Sequence, residues 1–228
     1  MKKALFIMII LCSTLSQAQE LKPVPQISVS GEGKIKVIPD QVFISIAVET
    51  KGTNATDVKR QNDASIEKVI EFITKFKVLK GDFQTKNVSL NPQYDNEKKR
   101  RSYNATQTIE ILLKNSTQYD AFMDGVVDAG INRIDLVEFK SSKLQEYQSQ
   151  ARKLAMKEAK SKAEDYVSVL NQKVGKALTI TDNSQSYFPQ PRYGLKTMAM
   201  DNEQAPKETL AIGEITITAT VTVSFLLE

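Results

Sequence analysis

Carboxylates are the main candidates for catalytic chemistry in this sequence, which has no histidine and a single cysteine, Cys12. Without histidine, neither a Ser–His nor a Cys–His nucleophile pair can form. Two acidic side chains facing each other could still hydrolyse a glycosidic bond. The acidic residues on or beside predicted strands are Glu32, Asp40, Glu49, Glu110, Glu138 and Glu214. Their spacing selects no pair, so the sequence predicts no catalytic residues and favours a protein that is not an enzyme.

Met198 and Met200 are soft metal ligands that stand two residues apart in an irregular segment. Thioethers can bind Cu(I), but two of them make a poor copper site without further ligands. Packing of these apolar side chains on the domain or on a neighbouring copy is the favoured interpretation. Because the chain after Cys12 has neither histidine nor cysteine, we predict no bound transition metal and no cofactor.

Three other polar motifs have both a functional and a structural interpretation. Gly31-Glu32-Gly33 lacks the third glycine and the following helix of a phosphate loop, which favours a β-bulge or close backbone approach. Asn62 interrupts an apolar helical stripe, and an amide bonded to nearby backbone is favoured over a ligand. The run from Lys98 to Arg101 could bind phosphate or a membrane surface, but a solvated hairpin tip is favoured.

The elements that would position these side chains include an unusually clear strand from Ile215 to Leu227. Its apolar residues alternate with threonines and a serine, which predicts one buried face and one hydroxyl face in the spine of a sheet. The segments around Ile27–Val37 and Val42–Val48 flank Pro39-Asp40 and predict a hairpin. Further strands are predicted at 83–90, 103–113, 134–139 and 174–181.

Three helices are predicted between these strands. The first begins near Asn54, and the second opens with Thr117 and Asp120, buries Tyr119, Phe122, Met123, Val126 and Val127, and stops at Gly130. The third runs from about 142 to 171 and carries a ridge of alanines suited to close packing, at Ala151, Ala155, Ala159 and Ala163. The order ββα-ββα-βα-ββ predicts an α+β fold with helices packed on an antiparallel or mixed sheet of long strands.

The first 18 residues have the three parts of a secretory signal peptide. Lys2 and Lys3 precede an apolar run that is too short to span a membrane, and Ser16-Gln17-Ala18 offers small residues for cleavage. A lipoprotein processed at Cys12 is less favoured, because the bulky Leu11 precedes it. The sequence therefore predicts a signal peptide over 1–18, a single domain over 19–228 and a periplasmic location.

We expect cleavage after Ala18, because the charged start, apolar core and small residues occur together. N-terminal sequencing of protein from the cell envelope should then begin at Gln19. A lipid attached to Cys12 would contradict this prediction.

Charge and hydropathy argue against nucleic-acid binding and against a transmembrane span. The net charge is +4, too small for a typical nucleic-acid-binding protein with a concentrated basic excess. No apolar run after the signal peptide is long enough to form a transmembrane span.

The segment from about 182 to 206 has no periodicity, and loops of that length are often functional.

Several segments in a fixed order resemble the SIMPL-domain family. They are residues 27–33 leading to Pro39-Asp40, the alanine-ridged helix running into residues 174–178, and the closing strand after Gly213-Glu214. The resemblance implies an exported, often periplasmic protein related to periplasmic immunogenic proteins. It also implies a link with tolerance of oxidative stress, and it provides no catalytic residues.

The sequence and the resemblance together favour an exported, non-enzymatic envelope protein that acts through self-assembly or protein contacts. One alternative is a small-ligand-binding module that uses the 182–206 segment as a lid, and a carboxylate hydrolase is the third. We predict a homo-oligomer, because the strands Tyr103–Leu113 and Ile215–Leu227 carry almost no charge that would protect a sheet edge. The alanine ridge is a second candidate contact surface.

Overall fold

The computed structural model describes residues 24–95, 100–184 and 213–228. Its elements follow the predicted order ββα-ββα-βα-ββ, which confirms the α+β fold. The strands are β1 (Gln26–Val37), β2 (Gln41–Gly52), β3 (Phe83–Asp95), β4 (Arg100–Leu113), β5 (Arg133–Lys140), β6 (Val174–Asp182) and β7 (Ile215–Leu227). The helices are α1 (Ala55–Lys75), α2 (Tyr119–Ala129) and α3 (Leu144–Ser168). No helix within the described ranges is both long and apolar enough to cross a membrane.

The strands form two antiparallel sheets. One has the order β3-β4-β2-β5 and the other the order β1-β7-β6. The predicted hairpin of β1 with β2 is therefore wrong: β1 pairs along its whole length with β7, and β2 lies between β4 and β5. Alternation in β1 and β2 correctly indicated one buried face of each strand, although Ser45 and Ala47 on the other face of β2 are buried as well. It contains no information about which strand is the partner.

The larger core lies between the four-stranded sheet and the helices α1 and α2. Its fully buried members include Ile44, Ile109 and Phe122. Helix α1 begins where predicted, with the Asn54 side chain accepting hydrogen bonds from the backbone of Thr56 and Asp57. A 3₁₀ turn over Ser116–Gln118 precedes α2, and α2 ends at Gly130 in the left-handed conformation, as expected. Contrary to the prediction, Val127 is 53% exposed.

The smaller core lies between α3 and the three-stranded sheet, where the alanine ridge packs. Ala151, Ala155, Ala159 and Ala163 are all 0% exposed, so the ridge is used within the chain and is not a free contact surface. It faces Gly31 and Gly33, which explains those glycines as a close backbone approach. A Cβ added to Gly31 would lie 2.0 Å from the carbonyl oxygen of Ala155.

Asp40 connects the two sheets. It follows β1, and its backbone N–H donates to the carbonyl of Lys140 at the end of β5. Its carboxylate accepts hydrogen bonds from the backbone N–H and the hydroxyl of Ser142, just before α3. Burial raises the pKa of Asp40, but the two bonds from Ser142, together with the Asp40 backbone N–H and the charge of Lys143, hold the pKa below its ordinary value. The charged carboxylate therefore stabilises the connection between β1, β5 and α3.

Candidate interaction surface

The carboxylates considered for catalysis are dispersed and engaged with neighbouring side chains. Within the described ranges, no group of three or more acidic, histidine or cysteine residues could hold a metal ion. The closest polar contacts are Glu32 with Lys34, Asp40 with Ser142, Glu49 with Asn104, Glu110 with Gln84 and Glu138 with Lys140. Glu214 is exposed just before β7. For all of them but Glu214, this arrangement provides ion pairs and hydrogen bonds to neighbouring side chains.

Glu49 is the best connected of these carboxylates. It accepts a hydrogen bond of 2.6 Å from the Asn104 amide, and Arg133 lies 3.8 Å away. The bond from Asn104 is the largest cause that lowers the pKa of Glu49, with Lys51 and Arg133 acting in the same direction. A general acid needs a raised pKa, so this environment suits a permanently charged structural group.

Asn62 is buried, at 1% exposure, between α1 and the four-stranded sheet. Its Nδ2 donates to the carbonyl oxygen of Val48 at 3.0 Å and to the Thr50 hydroxyl at 3.1 Å. The Ala105 carbonyl lies 3.4 Å away as a third acceptor. The structural interpretation of this residue is therefore confirmed: the amide joins α1 to β2 and β4.

The segments predicted to form a ligand site lie almost entirely outside the described part of the chain. Met198, Met200 and most of the 182–206 segment lie outside the described residues, as do the predicted signal peptide and Lys98-Lys99. A shallow cleft of ≈ 270 Å³ lies between the segments at Phe76–Leu79 and Leu112–Asn115. It is smaller than a usual ligand pocket, and none of its lining residues comes from β6 or the segment after it.

The sequence left the strand order open and showed only that β4 and β7 carry little charge that would protect a sheet edge. Both strands are interior: β4 lies between β3 and β2, and β7 lies between β1 and β6, which agrees with its prediction as the spine of a sheet. The edges are β3 and β5 in one sheet and β1 and β6 in the other. Among the described strands, any contact through a sheet edge must therefore use one of these four.

An uncovered apolar row on β3 is the clearest candidate interaction surface. Val88 and Tyr94 are each 62% exposed and Leu90 is 40% exposed; we call these three residues the β3 stripe. Val88 pairs with Gln107 of β4, whose side chain bonds to Asp63 of α1. The stripe thus lies on the helix-bearing face, but α1 packs over β2 and β4 and leaves it exposed.

The sequence contained a signal for this stripe. Val88, Leu90 and Tyr94 occupy alternate positions among Asn87, Ser89, Asn91 and Gln93, which is the pattern of a strand with one apolar face. The predicted strands 83–90 and 103–113 left the residues between them to the hairpin tip, so the expected strand stopped at Leu90. The structure continues β3 to Asp95 and starts β4 at Arg100, so that prediction is wrong in extent although the hairpin itself is confirmed.

Comparison with known proteins gives a consistent result. Residues 27–225 match a family model described as SIMPL, protein of unknown function (DUF541). The uncharacterized protein YggE of Escherichia coli K12 is 27% identical over 179 residues, covering 77% of this chain and 73% of YggE. YggE of Edwardsiella ictaluri is 25% identical over 179 residues, covering 77% and 75%. The 26 kDa periplasmic immunogenic protein of Brucella melitensis is 23% identical over 212 residues, covering 88% and 84%.

Proposed function

Because this chain belongs to the SIMPL family, we propose that it is an exported, non-enzymatic envelope protein that acts by assembling with further copies of itself. The β3 stripe is the observation that carries the proposal. Three large apolar side chains on one edge strand lose water only when another surface covers them, and exposed apolar patches commonly mark protein contacts.

A periplasmic location is the second part of the proposal. The relatives from Brucella are named as periplasmic proteins, and the start of this sequence has the pattern of a signal peptide. In that compartment, a chain whose single cysteine belongs to the signal peptide is held without disulfides. A contribution to oxidative-stress tolerance, implied by the family resemblance, would then be exerted through the assembled form.

The assembly can be tested with charges placed on the two faces of β3. We expect the mature protein to have the mass of several chains in sedimentation equilibrium at micromolar concentration. Substituting Val88→Lys together with Tyr94→Lys should raise the dissociation constant by at least about a hundredfold, because two buried anchors become charged. A mass of one chain for the parent, unchanged on concentration, would contradict the proposal.

The matched control adds the same two charges to the opposite face of the same strand. Asn87 and Asn91 are exposed there and pair with Thr108 and Asn104. The substitutions Asn87→Lys and Asn91→Lys should leave the assembly intact. A second control, Thr218→Lys, charges the hydroxyl face of β7 and should also have no effect. If it dissociates the assembly, the contact lies on that face and not on β3.

A further inference from the structure

Within the described ranges, the outer edge of β1 has no neighbouring strand, and it presents backbone groups that a further strand could pair with. In antiparallel pairing, the N–H and C=O of one residue point to the same side, and successive residues alternate. The carbonyl of Pro25 accepts a hydrogen bond from Leu227 of β7, so the backbone N–H and C=O groups of the odd-numbered residues of β1 point towards β7. The backbone groups of the even-numbered residues, among them Ser30 and Glu32, therefore point away from β7, towards the open edge.

Two side chains of α3 occupy these outward groups. The Lys162 ammonium donates to the Ser30 carbonyl at 3.1 Å, and the Glu158 carboxylate accepts from the Glu32 N–H. The two side chains also pair with each other at 3.1 Å. Together they supply one donor and one acceptor, the groups that a neighbouring strand would present here. The Glu32 N–H, followed by Lys162, lowers the pKa of Glu158 and keeps it charged.

The same row of α3 is apolar on either side of this pair. Leu154 and Tyr166 stand four residues before Glu158 and four after Lys162, a spacing that places all four on one side of the helix. Leu154 is 40% and Tyr166 61% exposed. The helix therefore overhangs the edge of β1 with a charged pair at the centre and apolar side chains flanking it.

A strand that enters beneath this overhang must have no helix of its own on the face that meets α3. The β3 strand meets this requirement, because its stripe of Val88, Leu90 and Tyr94 lies on the helix-bearing face and is uncovered. Its outer edge is unpaired within the described ranges. Docking on β1 would place the stripe against the apolar side chains of α3.

We propose that the β1 edge is the docking site for β3 of a second copy of the chain, and that the Glu158–Lys162 pair keeps the site closed until it is displaced. This inference rests on the proposed self-assembly and specifies its surfaces. The contact joins different surfaces on the two copies, so it is head-to-tail and gives a ring if its rotation closes.

The test removes the pair with Glu158→Ala and Lys162→Ala. In this variant, docking no longer has to break two charge-assisted hydrogen bonds. The dissociation constant of the assembly should therefore be lower than that of the parent by about tenfold or more. Lys160 and Glu164 form the matched control, since they are another lysine–glutamate pair four residues apart on α3. Their replacement by alanine should leave the dissociation constant unchanged. A milder second variant, Glu158→Gln with Lys162→Met, keeps the packing if the alanines impair folding.

Further measurements separate this inference from the proposed function. The variant with Glu158→Ala and Lys162→Ala is called the opened variant. Adding Val88→Lys and Tyr94→Lys to it should abolish its gain in affinity for a second copy, and a gain in affinity that survives would exclude β3 as the occupant. At a concentration where the chain is monomeric, Glu158→Ala should speed amide exchange of Glu32 by about tenfold.

If the parent does not assemble, the proposed function fails, yet the opened variant should still associate more than its control. Equal association of the opened and control variants would overturn the inference.

Discussion

The substitution Gly31→Ala is expected to lower the free energy of unfolding by at least ~3 kcal/mol, at the upper end of overpacking effects. The added Cβ would lie 2.0 Å from the Ala155 carbonyl oxygen and 2.6 Å from the Ala159 backbone nitrogen. Both contacts are with backbone, which has no rotamer to change. The helix α3 must therefore move away from β1, and the buried alanines lose their packing against the sheet.

Guanidinium unfolding measured by circular dichroism gives the free energy directly. Gly81→Ala is the control, because a Cβ added at Gly81 meets nothing within 4 Å. It should change the free energy of unfolding by no more than about 0.5 kcal/mol, as surface substitutions usually do. Equal stabilities for the two variants would show that α3 does not approach β1 as closely as described.

The element order could be predicted because it depends on local patterns. Alternation in β7, the Asn54 cap and the left-handed Gly130 are each determined by a few neighbouring residues. Partner choice depends on the whole chain. Both β2 and β7 present an apolar face that β1 could extend, and the short link at Pro39-Asp40 made β2 the apparent partner. The strand β7, almost two hundred residues away, is the actual one.

One long-range contact did have a signal in the sequence. Gly31 and Gly33 are two residues apart on a strand, a separation of about 6.6 Å. Ala151 and Ala155 are four residues apart on a helix, a separation of about 6 Å. Two rows of minimal side chains with nearly equal spacing are suited to face each other, and they do. The glycines and alanines were interpreted separately, so the match between them was not used.

The two surfaces proposed to meet, the β3 stripe and the β1 edge, differ in how far they could be predicted from the sequence. The β3 stripe follows from alternation alone once the strand is extended beyond Leu90. The contact of Glu158 and Lys162 with β1 could not be predicted, because a lysine–glutamate pair four residues apart is ordinary on an exposed helix. Only the position of α3 over β1 turns that pair into a block on a sheet edge.

The substitution Asn62→Asp is expected to lower the free energy of unfolding by about 3–5 kcal/mol at pH 7, the usual effect of an uncompensated buried charge. The Asn62 amide is a donor surrounded by acceptors, namely the carbonyls of Val48 and Ala105 and the Thr50 hydroxyl. A carboxylate in this position would turn negative oxygens towards those carbonyls. Burial and repulsion would both raise the pKa of the introduced carboxyl in the folded state.

This raised pKa makes the destabilisation depend on pH. Above the folded-state pKa the penalty is complete, because folding then buries the charged carboxylate. As the pH falls towards about 3.9, the ordinary pKa of an aspartyl group, the unfolded chain becomes protonated as well and the penalty shrinks. The neutral acid can donate its proton to the Val48 carbonyl, 3.0 Å from the present amide nitrogen. Unfolding curves of variant and parent should therefore converge between pH 7 and pH 4.

The same chemical change at the start of α1 provides the control. Asn54 caps the helix by accepting from the backbone of Thr56 and Asp57, and aspartate caps a helix as well as asparagine does. Asn54→Asp should therefore stay within about 0.5 kcal/mol of the parent at pH 7, assisted by the positive end of the helix dipole. If Asn62→Asp matched this control, or if its deficit did not change with pH, the Asn62 amide would not be the buried donor that joins α1 to β2 and β4.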